Sequence, residues 1–198
     1  MKQDTHKQAW YVINGITLYR IVAAPILLIL IFTGQYDIFK WLLGISFFTD
    51  LIDGYLARKY KVTSVIGTRL DSIGDDLTIL VGMIGLFVMK TAFIKQEIVI
   101  FIILFSLFLV QTIYAFIRYR KMTSFHTYLA KTAALLQGAF LLFTFFTTEP
   151  NLILFYVAAI ITMLELIEEI ILVSLLKHWK ANVKGIYWVL KEKAGNYD

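Results

Sequence analysis

The chain has 198 residues, 59% hydrophobic and only 17% charged, with a mean hydropathy of +0.74, which is outside the usual range of a globular domain and typical of a polytopic membrane protein. Its formal net charge is +5 with no nucleic-acid motif beside it, and the absence of cysteine excludes disulfides, thiolate catalysis, cysteine-ligated zinc and iron–sulfur clusters. The start MKQDTHKQAW is polar and lacks a cleavable apolar core, so no secretory signal is expected and the first apolar segment should be retained.

Six apolar segments follow in order, at 16–34, 38–57, 70–89, 98–117, 128–146 and 152–176. Each approaches the roughly 20 residues that cross a hydrocarbon core. The first contains Pro25, which is expected to kink it. In the second and third, the uninterrupted apolar parts are 38–48 and 77–89, too short to span alone. Both must therefore take the intervening polar residues into the membrane or its rim. The sixth follows Pro150 and carries Glu165, Glu168 and Glu169 at spacings that share one helical face, which should turn inward and either pair with Arg20, Arg118 or Lys131, the favoured reading, or line the acceptor's route. The tail KHWKANVKGIYWVLKEK places Trp179, Val183, Ile186, Tyr187 and Leu190 at helical spacing among lysines, as in a helix on a membrane surface, against the cost of Gly185. The pattern predicts an all-α chain, one membrane domain over 1–198 with six transmembrane helices.

Six spans put both termini on one side. Of the 19 lysines and arginines, only Lys40, Lys90 and Lys95 fall on the other. This positive-inside bias makes the termini cytoplasmic and the protein a multi-pass protein of the cell (inner) membrane, with 177–198 as a cytoplasmic tail. The +5 charge thus reflects topology and anionic lipid rather than nucleic acid.

The most informative stretch is DLIDGYLARKYKVTSVIGTRLDSIGD, from Asp50 to Asp75. In helices, Asp50 and Asp53 share a face, as do Asp71 and Asp75. Two such helices joined near 60–67 bring four carboxylates together, a hard oxygen donor set suited to Mg2+ or Mn2+ that also holds phosphates. In a soluble protein the same acids would read as solvated helix ends. A charge at mid-membrane, by contrast, costs about 2.5–3.5 kcal/mol on insertion scales, so acids here need metal, partners or water.

The spacing D-x2-D-G-x2-A-R-x8-G-x3-D-x3-D resembles, at every specified position, the signature of the CDP-alcohol phosphotransferase family of lipid-synthesising membrane enzymes. The resemblance implies a homodimeric enzyme that displaces CMP from CDP-diacylglycerol with a second alcohol's hydroxyl. Carried over by position, it implies two divalent ions, Mg2+ or Mn2+, on Asp50, Asp53, Asp71 and Asp75. Asp75 would be general base, and Asp53, Gly54, Ala57, Arg58, Gly67 and Asp71 would hold the CDP moiety. Gly54 and Ala57 are small enough for close approach, Arg58 can fork onto phosphate, and Gly67 would allow a tight turn into the third span. Taken singly, each of these residues is more often packing or a snorkelling charge than function, and only their joint register with the aspartates raises them.

Asn14, Thr17, Arg20 and Pro25 in NGITLYRIVAAP look like the N-terminal segment of phosphatidylglycerolphosphate synthases. Arg20 is either a grip on an acceptor phosphate or a topology-setting charge. Arg118 and Lys131, in the basic stretch between the fourth and fifth spans, are further acceptor-binding candidates. His126 reads as a loop residue, since Mg2+ prefers oxygen. Asp76 stands where those synthases generally have lysine. Asp71-Ser72 looks more like phosphatidylserine or inositol-phosphate lipid synthases, yet the Ser-Phe-Gly of the serine enzymes is absent. Glycerol 3-phosphate leads as acceptor, with serine or an inositol phosphate behind it. A divalent-cation transporter is the alternative of another class, although it would not need Gly54, Ala57, Arg58 and Gly67 in register.

Overall fold

In the computed structural model the chain forms α1 (Lys2–Phe32), α2 (Tyr36–Tyr60), α3 (Val65–Met89), α4 (Thr91–Gln96), α5 (Ile98–Tyr119), α6 (Tyr128–Phe146), α7 (Leu152–Leu175) and α8 (Ile186–Ala194). It describes residues 2–60, 65–121, 123 and 125–194, without the side chains of 2–14, 17, 51, 53–60, 65–69, 71 and 72. No strand occurs among the described residues, in agreement with the all-α reading. Each of the six apolar segments coincides with a long helix. α1 starts well before residue 16, because Lys, Gln and Ala extend a helix readily.

Local chemistry sets the ends. α1 stops at a Schellman turn, in which Gly34 takes φ +73° and the Gln35 N–H reaches the Leu30 carbonyl at 3.0 Å. α2 starts directly after it. At α7, Asn151 caps the first turn by accepting from the Leu154 N–H at 2.9 Å. Pro150 precedes the cap, where its missing N–H costs nothing.

The chain divides into two units, Met1–Thr91 with Leu141–Thr148, and Ala92–Phe140 with Glu149–Asp198. In the first, α1 packs on α2 and α3. Ala23, Ala24, Leu27 and Ile31 give α1 one buried stripe, which joins Phe39 and Leu43 of α2 and Val81 and Leu86 of α3. The Lys90 ammonium donates to the carbonyls of Thr147 and Thr148 at 3.0 and 2.7 Å, closing the C-terminal end of α6. In the second unit α5 packs on α7 and α7 on α8. One core there gathers Phe93, Phe140 and Phe155, with Phe93 edge-on to Phe155 at 4.9 Å. Another joins Ala115, Phe125, Leu172, Val173, Val183 and Val189.

The outward faces are apolar as well. Leu18, Val22, Ile26 and Ile29 of α1 are exposed at helical spacing, as are Ile153, Val157, Ile160, Leu164 and Ile171 of α7. A water-soluble fold does not present such stripes on helix after helix, whereas lipid solvates them. Among the described residues, α5 and α6 are long and apolar enough to cross a membrane by length and composition alone. α7 has the length, but every stretch of it long enough to span contains all three glutamates. Among the described residues the fold is all-helical, with the apolar outer faces of a membrane protein.

Three sequence expectations are corrected. Gly67 lies inside α3 rather than in a turn, since α3 begins at Val65. The short helix α4 is an addition, set off from α5 at Glu97, whose buried carboxylate accepts from Tyr156 Oη at 3.0 Å. The tail is helical only from Ile186. Asn182 and Gly185 take φ of +55° and +147°, which no helix accommodates, and Val183 packs into the core of the unit.

Gly85 is required by packing. A Cβ there would lie 2.7 Å from Phe39 Cζ, in a ring fully buried and set edge-on to Phe145 at 5.1 Å. At Gly44 the nearest atoms would be 3.7 Å away, an ordinary contact. Gly85→Ala is expected to cost about 1–3 kcal/mol through overpacking. Gly44→Ala should be near neutral. Thermal unfolding of the two variants in detergent measures the contrast, and equal midpoints would contradict it.

Candidate active site

Arg20 is a charged side chain buried inside the first unit. Its side chain is 1% exposed, yet it sits on the inner flank of α1 among apolar residues. A guanidinium in such a place must be paired, because leaving it unpaired forfeits its hydration without return. Nη1 donates to Asp50 Oδ1 of α2 at 2.8 Å, and Nη2 meets Asp75 Oδ1 of α3. One cation thus ties three helices. The guanidinium lies against the bare backbone of α3 at Gly74, where an added Cβ would stand 3.5 Å from its Cζ, Nε and Nη2. Thr78 returns its hydroxyl to the Gly74 carbonyl at 2.7 Å, so that turn of α3 keeps its own groups satisfied beside the charge.

The carboxylates are partly open. The side chains of Asp50 and Asp75 are 36% and 46% exposed, so each meets Arg20 while part of its surface stays accessible. Of the remaining motif residues, Asp53, Gly54, Ala57 and Arg58 lie on α2, and Gly67 and Asp71 on α3. Their side-chain placement lies outside the described residues, as do the side chains of Asn14 and Thr17. The donor set itself suits a hard divalent cation: carboxylates only, on two helices, two of them already converging on a single positive group.

Arg20 is therefore not a surface charge that sets topology. Gly74 was not singled out by sequence reasoning, although a glycine inside an otherwise apolar helix is a signal of close approach. Arg118 reaches the carbonyls of Ser174 and Leu176 with one nitrogen, each at 3.4 Å, across the C-terminal end of α7. Lys131 is exposed, its ammonium 5.6 Å from the centre of the Tyr128 ring. His126, at φ +52°, is an exposed loop residue as expected.

The glutamates of α7 do not pair as expected. Among the described residues, none forms an ion pair with Arg118 or Lys131, and Arg20 is engaged by aspartates. Glu169 is 8% exposed and accepts from Gln111 Nε2 at 2.6 Å and Thr123 Oγ1 at 2.8 Å. Glu168 accepts the Ile186 N–H at 3.2 Å, at the positive end of α8. Gly185 makes room, since a Cβ there would be 3.0 Å from Glu168 Oε1. These acids hold Thr123 and the start of α8 in place.

A profile of the CDP-alcohol phosphatidyltransferase family matches residues 10–175. The chain belongs to that family. It is a phosphatidyltransferase of phospholipid biosynthesis, which decides between the enzyme and the cation transporter. Enzymes of the family depend on divalent cations in general. Among curated relatives, the CDP-diacylglycerol–glycerol-3-phosphate 3-phosphatidyltransferase of Rickettsia bellii is 33% identical over 128 residues, 63% of this chain and 68% of the relative. The human cardiolipin synthase (CMP-forming) is 31% identical over 75 residues, 37% of this chain and 25% of that protein. The CDP-diacylglycerol–inositol 3-phosphatidyltransferase of Saccharomyces cerevisiae is 35% identical over 66 residues, 33% of this chain and 30% of that protein. No solved structure matches.

Glu169 is expected to be structural. Glu169→Gln keeps an oxygen that can accept from Gln111 and should be close to neutral. Glu169→Leu leaves the buried Gln111 amide without that acceptor, at a cost of about 1–3 kcal/mol. Thermal unfolding of both variants, with CMP release assayed on the folded protein, tests this. A loss of turnover in Glu169→Gln at unchanged stability would place Glu169 in the chemistry instead.

Proposed function

We propose that this phosphatidyltransferase moves the phosphatidyl group of CDP-diacylglycerol to the hydroxyl of glycerol 3-phosphate and releases CMP. The observation that carries the acceptor is the extent of likeness to the rickettsial glycerol-3-phosphate enzymes. It runs through about two thirds of both chains, whereas the inositol and cardiolipin enzymes share a shorter segment. Serine or an inositol phosphate is the second reading, favoured by Asp71-Ser72 and by Asp76.

Asp50, Asp53, Asp71 and Asp75 would hold two divalent ions, Mg2+ or Mn2+. When bound, these neutralise the diphosphate and stabilise the departing CMP. Gly54 and Ala57 would leave room for the nucleotide, Arg58 would fork onto the diphosphate, and Asp53, Gly67 and Asp71 would complete the CDP site. Asp75, partly exposed, would take the proton of the acceptor hydroxyl as its oxygen bonds to the phosphatidyl phosphorus. The bond from that phosphorus to the bridging oxygen breaks, and the oxygen leaves with CMP. Position rather than basicity suits Asp75 to this, since a carboxylate shared with metal ions is a weak base. Arg118 and Lys131 remain candidate holders of the acceptor phosphate. Six spans, cytoplasmic termini, a cytoplasm-facing site in the cell membrane and a homodimer complete the reading, supported by the charge asymmetry of the loops and the apolar outer faces.

Purified protein with Mg2+ and CDP-diacylglycerol should release CMP in proportion to glycerol 3-phosphate and form a lipid of the mass of phosphatidylglycerol phosphate. Glycerol, serine, inositol and an inositol phosphate should react poorly. Asp53→Asn should abolish release, and Lys131→Ala should raise the KM for the acceptor with little change in that for the lipid. A preference for serine or an inositol compound would overturn the acceptor. Full turnover in excess chelator would overturn the metals.

A further inference from the structure

Four motif carboxylates within two membrane helices cannot stand unneutralised, since charge at that depth is costly unless paired. In the first unit Arg20 supplies such pairing. Arg20 is 1% exposed, contacts Asp50 of α2 and Asp75 of α3, and lies against Gly74, whose missing side chain leaves a slot for the guanidinium. Both aspartates are partly exposed, at 36% and 46%, so the site is reachable from outside the helix packing. A divalent ion arriving there would meet carboxylate oxygens engaged by a fixed positive charge a few ångströms away, which both repels it and competes for lone pairs.

We propose that Arg20 is a positioning residue that serves as the resident counter-cation of the carboxylate site. It holds α2 and α3 together in the metal-free enzyme and yields part of its hold on Asp50 and Asp75 when a divalent ion binds. The proposal rests on the assignment of Asp50 and Asp75 as metal ligands above. It gives Arg20 a function apart from the acceptor, and it ties that function to Gly74. The fork of arginine suits the task because it engages two carboxylates from different helices, which the single ammonium of a lysine does less well.

The test is direct Mn2+ binding, read by the electron paramagnetic resonance of free Mn2+, on detergent-purified protein without lipid substrate. The set is wild type, Arg20→Gln and Arg20→Lys, each checked for helicity and a single size-exclusion peak. Arg20→Gln removes the competing charge and is expected to bind Mn2+ about tenfold or more tightly than wild type. Arg20→Lys keeps the charge but loses the fork, and should fall between the two. Should Arg20→Gln fail to fold, the Arg20→Lys comparison stands alone and must still show tighter binding than wild type. Metal-free Arg20→Gln should unfold at lower temperature than wild type, with a larger rise on adding Mn2+. Variants that bind Mn2+ no more tightly than a wild type that does bind it would overturn the counter-cation role and leave the metal assignment in place. A wild type that binds no Mn2+ would remove both.

Discussion

A buried guanidinium must have carboxylate partners, and in the first unit this requirement organises everything around it. Arg20 lies on the same helix as the apolar stripe from Ala23 to Ile31, one turn further toward the N-terminus. The stripe fixes how α1 packs on α2 and α3, and Arg20 then fixes which residues of those helices face each other at that level. Breaking a buried ion pair by removing one partner costs about 3–5 kcal/mol. The partial exposure of Asp50 and Asp75 lowers that figure, because water can take over the orphaned carboxylates. The same exposure makes the pair useful, as a fully enclosed ion pair would have no face left for a substrate or a metal.

The second unit meets the same difficulty with a different solution. Its acids, Glu168 and Glu169, are held by uncharged donors: an amide, a hydroxyl and a backbone N–H at a helix start. Such partners do not offer a competing positive charge, and they anchor the segments on either side of α7. Tyr119 adds to the anchoring by donating to the carbonyls of Val173 and Leu176 at 3.0 and 2.8 Å. Acidic residues inside apolar helices thus have two uses in one chain, the proposed chemistry near Asp50 and Asp75 and scaffolding near Glu169.

Much of this was legible in the sequence. The apolar runs gave the six long helices to within a few residues at most ends, because Gly34, Pro150 and the break after Tyr119 are strong local signals. The aspartate register identified the family. What was not legible depended on partners distant in sequence. Arg20 is separated from Asp50 by 30 positions, and nothing in its own segment says that it turns inward to a carboxylate rather than outward to a headgroup. Gly74 acquires meaning only once Arg20 is beside it. The tail kept a helical spacing from Trp179 to Leu190, yet the backbone at Asn182 and Gly185 overrode it, since the burial of Val183 and the acceptor offered by Glu168 favour a turn there. α4 escaped notice because its break from α5 is set by Glu97 and its partner Tyr156, not by glycine or proline.

On the proposed mechanism, the divalent cations sit on the aspartates of α2 and α3, and not on the glutamates of α7. Both clusters are carboxylates in membrane helices, so chemistry alone does not separate them. The direct measurement is anomalous diffraction at the manganese edge from crystals grown with MnCl2. The account predicts two peaks within metal–oxygen bonding distance of Asp50, Asp53, Asp71 and Asp75 and none on α7. Peaks bound by Glu165, Glu168 or Glu169, with the aspartates bare, would contradict it.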